Sequence, residues 1–155
     1  TLEEVNMAYN LLIKNTPNFS FLQCTSSYPA KYEELNINVI RTLRNKFPST
    51  VIGFSSHENG ISAPISAFTL GARIIEKHFT LNKKASGPDH KASADPRDFE
   101  KYVISIRNAE KILGSDVKKI HKEEQSIRKI SRKSITLKNN LVKKEVVKIL
   151  SWVKQ

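Results

Sequence analysis

The stretch Val51-Ile52-Gly53-Phe54-Ser55-Ser56-His57-Glu58-Asn59-Gly60 decides the fold, read with its echo Arg73-Ile74-Ile75-Glu76-Lys77-His78-Phe79-Thr80. Each is a β-branched run closed by a histidine. Between them, Ser62-Ala63-Pro64 starts a helical pattern and Gly71 stops it. That order predicts a β–α–β unit with one imidazole at the carboxyl end of each strand. In parallel α/β folds, this edge is where sites are built. Side chains alternate faces along a strand, so Ser55 shares a face with His57, and Glu76 shares one with His78. Two neutral imidazoles with carboxylate and hydroxyl neighbours suit a divalent transition metal that keeps open coordination positions. Either histidine alone reads better as a hydrogen-bonded strand-end residue. Their matched placement on adjacent strands favours a shared site.

Working outward, Thr1 and Glu4 form a capping-box pattern, and Leu2, Val5, Ala8, Leu11 and Leu12 keep helical spacing up to Asn15. Phe19 to Thr25 reads as a buried strand, stopped by Ser26-Ser27-Tyr28-Pro29. Tyr32 to Lys46 reads as one amphipathic helix with Leu35, Val39 and Leu43 on its inner stripe, and Ala72 to His78 as the third strand. A loop through Gly87-Pro88-Asp89-His90 follows. Asp95-Pro96 then opens a long helix, with Phe99, Tyr102, Val103, Ile106, Ala109, Ile112 and Leu113 as its core face and Gly114 as its end.

Such alternation of helices and strands means a parallel sheet. Three strands leave two raw edges, and parallel sheets bury both faces. The segment therefore reads as the last part of a (β/α)₈ barrel or as part of a doubly wound sheet. Beyond Gly114 the pattern weakens into a charged stretch, His121 to Lys133, and two short β-like pieces follow, around Ser134-Ile135-Thr136-Leu137 and from Val146 to Val153.

Composition sets the class. The chain has 155 residues, 39% of them hydrophobic, enough for one domain with a sizeable core. No apolar run approaches the ~20 residues that span a bilayer. The amino end has neither a signal-peptide pattern nor an initiator Met, so an excised or incomplete chain is expected. The single Cys24 excludes an internal disulfide and fits a reducing cytoplasm. The net charge of +11 falls mostly on residues 96–155, while residues 1–95 are near balance. Those basic residues are dispersed, and aromatic residues do not interleave with them as a stacking platform requires. A solvated basic surface is expected, with neither nucleic acid nor membrane as partner.

Four stretches carry a resemblance: Leu22-Gln23-Cys24-Thr25-Ser26-Ser27-Tyr28-Pro29, Ile52 to Ile61, Leu70-Gly71-Ala72-Arg73-Ile74-Ile75-Glu76-Lys77-His78-Phe79-Thr80-Leu81, and Gly87-Pro88-Asp89-His90. In this order they resemble the carboxyl half of the sialic acid synthases of N-acetylneuraminate synthase type, a group that includes the legionaminic and pseudaminic acid synthases.

The resemblance implies a fold in which residues 1–114 are strands six to eight of a TIM barrel. Residues 115–133 are then a linker, and 134–155 a truncated start of an antifreeze-like (SAF) domain. It implies a transferase that condenses phosphoenolpyruvate with an N-acetylhexosamine such as N-acetylmannosamine, giving N-acetylneuraminate or a related acid plus phosphate. His57 and His78 would bind the metal, manganese first, with magnesium or cobalt as alternatives. Glu76 and Asp89 would hold sugar hydroxyls or position the attacking water. Ser26, Tyr28 and Ser55 would line the sugar site and its carboxylate partner. The family's assembly is a homodimer.

Blander readings stand beside these. Ser26 can be a turn residue and Asp89 a loop cap. Cys24 reads as a packed strand residue and His90 as loop. Glu76 resists such a reading, because a carboxylate facing a barrel interior must be paired or bound.

Departures from the family pattern matter too. The phosphoenolpyruvate-binding groups of the earlier strands are not in the chain. Leu141-Val142-Lys143-Lys144-Glu145-Val146 lacks the usual Gly after its two lysines. The alternative to an active synthase is therefore an inactive remnant, or one half of a split enzyme completed by an amino-terminal partner. A third, weaker alternative is a basic module that binds an anionic partner through the tail.

Overall fold

The computed structural model of the chain describes residues 1–16, 18–87 and 89–132. It divides into two compact units, Thr1–Gly114 and Ser115–Gln155. The elements of the first are α1 (Leu2–Asn15), β1 (Ser20–Cys24), a 3-10 turn (Tyr32–Glu34), α2 (Val39–Lys46), β2 (Val51–Ser56), α3 (Ser62–Thr69), β3 (Ile74–Lys77) and α4 (Pro96–Leu113). The three strands form one sheet in the order β1-β2-β3, and both pairings are parallel. The fold class is α/β, as the alternating pattern predicts.

Local chemistry sets the boundaries. The Thr1 side chain accepts from the Glu4 amide while Glu4 reaches back to the chain start, completing the expected capping box of α1. Asp95 caps α4 by accepting from the Asp98 amide, with Pro96 in its first turn. Gly53 is required where β2 lies closest to its neighbours. A Cβ there would sit 2.6 Å from the Ile74 carbonyl oxygen and 2.9 Å from the Leu22 side chain.

The core lies on one face of the sheet. Ile52 and Phe54 of β2 pack with Ile40, Leu43 and Phe47 from the α2 region and with Ala63 and Ala67 of α3. The opposite face of β2 carries Gly53 and Ser55, and His57 follows with the same parity.

Two expectations need correction. Tyr32 to Lys46 is not one helix, because Asn36 takes a left-handed φ of 46° and separates the 3-10 turn from α2. Side chains of β1 and its exit hold the carbonyls there. Gln23 Nε2 donates to the Leu35 carbonyl at 3.1 Å, and Thr25 Oγ1 donates to that of Glu34 at 3.0 Å. Leu35 stays in the core at 2% exposure, but not as part of the helix.

The core face of α4 is also narrower than its periodicity predicts. Tyr102 and Ala109 are buried, whereas Phe99, Val103, Ile112 and Leu113 are exposed. The helix packs on α3.

Both outer edges, on β1 and β3, lack a strand partner among the described residues. Ile74, Phe79 and Leu81 are exposed near the β3 side, and Met7 and Leu11 on α1. None of the α1 residues is fully buried.

The second unit contains α5 (Glu124–Ser131) in the charged stretch expected to be a linker. Glu124 lies in its first turn and Arg128 and Lys129 in its last, the arrangement that complements the helix dipole. The two β-like pieces and the expected antifreeze-like segment, 134–155, lie outside the described residues. Among the described residues, no helix is long and apolar enough to cross a membrane.

Candidate functional site

The site is built where β2 and β3 end. Ser55 and Glu76 are register partners, and the Ser55 hydroxyl donates to Glu76 Oε1 at 2.6 Å. His57 comes directly after β2, buried at 5% exposure. Its Nδ1 lies 2.8 Å from the backbone carbonyl of Thr25, which can only accept, so Nδ1 carries the proton. Nε2 then carries the lone pair. Its neighbour, Ser55 Oγ at 3.3 Å, has already committed its proton to Glu76. An imidazole whose Nδ1–H is fixed by a carbonyl and whose Nε2 is free is oriented as a metal ligand.

His78 comes directly after β3, and its ring centroid is 5.1 Å from that of His57, at 71°. The Tyr28 ring lies against both, 4.4 Å from His57 and 5.3 Å from His78. Asp89 approaches from the following loop, with Oδ2 3.9 Å from His78 Nδ1. Ser55, His57, Glu76, His78, Tyr28 and Asp89 thus come together around the ends of two adjacent strands. Ser26 sits at the rim, exposed, 3.8 Å from Cys24 Sγ.

Cys24 is not a packed strand residue. It is exposed at the end of edge strand β1, and its sulfur lies 3.8 Å from His57 Nδ1. Glu76 is exposed as well, so burial does not force its pairing, although Ser55 provides a partner. His90 is occupied elsewhere, with Nδ1 2.7 Å from Thr80 Oγ1. Among the described residues, no group of three or more His, Cys, Asp and Glu side chains is placed to hold a metal ion. Two imidazoles are the nitrogen donors gathered at this edge.

The reverse face of the same strands holds a polar cluster that the motif reading passes over. Glu58 is 1% exposed, and its Oε1 accepts from Ser56 Oγ at 2.7 Å. Lys77 Nζ donates to the backbone carbonyl of Glu58. Burial holds the Lys77 ammonium below its ordinary value, with the Glu58 carboxylate opposing that shift. Burial also pushes the Tyr102 phenol well above its ordinary value; the Ser56 hydroxyl opposes this and the Glu58 charge adds to it. A cavity of about 150 Å³ opens beside Lys77 and Tyr102. The sequence signal was present: Ser56, Glu58 and Lys77 are polar at the parity that faces the core.

Parallel strands whose carboxyl edge gathers an imidazole pair, two carboxylates and a serine define an α/β protein with its site at the strand ends. Residues 1–118 match the NeuB family, and the chain belongs to that family, the sialic acid synthases.

The chain is 41% identical to an N,N'-diacetyllegionaminic acid synthase of Campylobacter jejuni, over 94% of this chain and 44% of that protein. It is 38% identical to the human N-acetylneuraminate-9-phosphate synthase, over 89% and 38%. The structure resembles an N-acetylneuraminic acid synthetase of Leptospira borgpetersenii with a TM-score of 0.74 at 34% identity, covering 84% of this chain and 45% of that one. The chain spans less than half the length of these relatives.

Proposed function

We propose that this chain supplies the metal and sugar side of a nonulosonic acid synthase. The reaction joins phosphoenolpyruvate to an N-acetylhexosamine such as N-acetylmannosamine, giving N-acetylneuraminate or a related acid and phosphate. The observation that carries the reading is the His57–His78 pair, with Nε2 of His57 left as an acceptor by the Thr25 carbonyl.

The donor set fits a divalent cation with open positions. His57 and His78 would hold it, with manganese favoured over magnesium or cobalt. Bound there, such an ion supplies Lewis-acid polarisation of the sugar carbonyl.

The chain's own groups do the remaining work on this side. Glu76, anchored by Ser55, and Asp89, beside His78, would accept hydrogen bonds from sugar hydroxyls or orient the attacking water. Tyr28 covers both imidazoles and would form the wall of the sugar pocket, with Ser26 at its rim. The related enzymes make legionaminic, pseudaminic and N-acetylneuraminate-type products, so the acceptor would be a sugar of that class.

Residues 1–114 would then be the closing part of a (β/α)₈ barrel, with the cytoplasm as their compartment. The raw edges of β1 and β3 favour a second reading of how the activity is reached, as one half of a barrel that a complementing amino-terminal segment completes into a family-type homodimer. Phosphate release is the test, with manganese, phosphoenolpyruvate and N-acetylmannosamine, on the chain alone and after addition of an amino-terminal barrel half from a relative. Release that requires the added half and vanishes in His78→Ala supports the reading. No release in either arm overturns it.

A further inference from the structure

The backbone ladder between β2 and β3 ends one residue short of the histidines. Its last pair is Ser56 with Lys77, and His57 and His78 are the next residues on each side. Their own carbonyls bind different partners. His57 O accepts from the Ala30 amide at 3.1 Å, and His78 O from the Ala94 amide at 2.8 Å. Neither contact links one histidine segment to the other.

Lys77 makes that link. It stands between Glu76 and His78, and its ammonium reaches the backbone carbonyl of Glu58, the residue after His57. One hydrogen bond thus ties the two imidazole-bearing segments from behind, just past the point where the ladder stops. Its anchor is buried: Glu58 is 1% exposed and Ser56 fully buried, and Ser56 Oγ donates to Glu58 Oε1 at 2.7 Å. Half-burying an ammonium carries a desolvation cost, which the nearby Glu58 carboxylate offsets in part. The hydrogen bond to the Glu58 carbonyl gives that ammonium a geometric task besides the electrostatic one.

We propose that Lys77 is a positioning residue that sets the spacing of His57 and His78 from the reverse face of the sheet. The inference rests on reading the two histidines as one metal-binding pair.

The test compares the purified chain with Lys77→Met, Lys77→Gln and Lys77→Arg. Met keeps the packing and loses the donor, Gln keeps a donor that is too short to reach, and Arg can restore the bond. Manganese affinity is read from the free-ion electron paramagnetic resonance signal, and imidazole resonances from ¹H–¹⁵N spectra. The expected result is an affinity weakened by about 10–100-fold in Lys77→Met and Lys77→Gln, with most of it restored in Lys77→Arg. The His57 and His78 ring signals should shift while those of His121 stay in place.

Wild-type affinity and unchanged ring signals in a folded Lys77→Met or Lys77→Gln chain overturn the proposal. So does unfolding of both variants, which makes the role structural. If the wild-type chain itself binds no manganese, the metal reading falls. The ring signals alone then decide Lys77: movement in Lys77→Met or Lys77→Gln upholds it, and no movement sinks it.

Discussion

Ser55 and Glu76 face each other across β2 and β3, and a 2.6 Å hydrogen bond from the serine hydroxyl holds the carboxylate beside the imidazoles. The bond has two effects on the site. It fixes the Glu76 rotamer, and it uses the one proton with which Ser55 might have capped His57 Nε2.

Ser55→Ala should therefore cost about 1 kcal/mol of stability, below the usual range for a bond to a carboxylate because Glu76 is exposed. Glu76→Gln keeps an acceptor and should cost less. The double variant should cost less than the sum of the two singles, since the partners are in contact. Urea unfolding of the four chains checks this, and strict additivity would show that the bond contributes nothing in solution.

Alkaline titration probes the reverse face. Tyr102 has a folded pKa raised above 10.0 by burial, so its contribution to stability is complete below that pH. Above it, the unfolded chain releases a proton that the folded chain keeps, and stability falls as pH rises toward the folded value. Lys77 has the opposite sign. Its folded pKa is lowered from 10.5, so stability rises with pH between the folded value and 10.5. Denaturation midpoints should climb on approach to pH 10 and then drop, and Tyr102→Phe should remove the drop while leaving the climb. An unchanged drop in Tyr102→Phe would place its cause elsewhere.

Self-association follows from the exposed faces of the first unit. The edges of β1 and β3 are unpaired among the described residues, and Met7, Leu11, Phe79 and Leu81 are more than half exposed. Open parallel edges bordered by apolar side chains recruit other chains. Sedimentation velocity should show concentration-dependent oligomers that an added amino-terminal barrel half converts to a defined species. A monodisperse monomer with a sharp unfolding transition would contradict this.

The legible parts of the fold and site are those governed by local rules. Strand parity placed Ser55 with His57 and Glu76 with His78, and cap chemistry placed the start of α1 at Thr1 and of α4 at Asp95. What escaped depends on distant contacts. The break at Asn36 goes with Gln23 of β1 and Thr25 just after it, which take carbonyls that a continuous helix would use. The exposure of Phe99 and Ile112 reflects which neighbours α4 meets, here α3, and helical periodicity does not encode that. Cys24 is exposed, not packed, because burial there depends on a further neighbouring strand and β1 is an edge among the described residues.

The most direct measurement is manganese binding to the chain and to His57→Ala, His78→Ala and His121→Ala. The account predicts one bound ion per chain, lost in His57→Ala and in His78→Ala and retained in His121→Ala. Binding that survives the loss of both His57 and His78, or no binding in the wild-type chain, would contradict the reading of the strand-end histidines as one metal site.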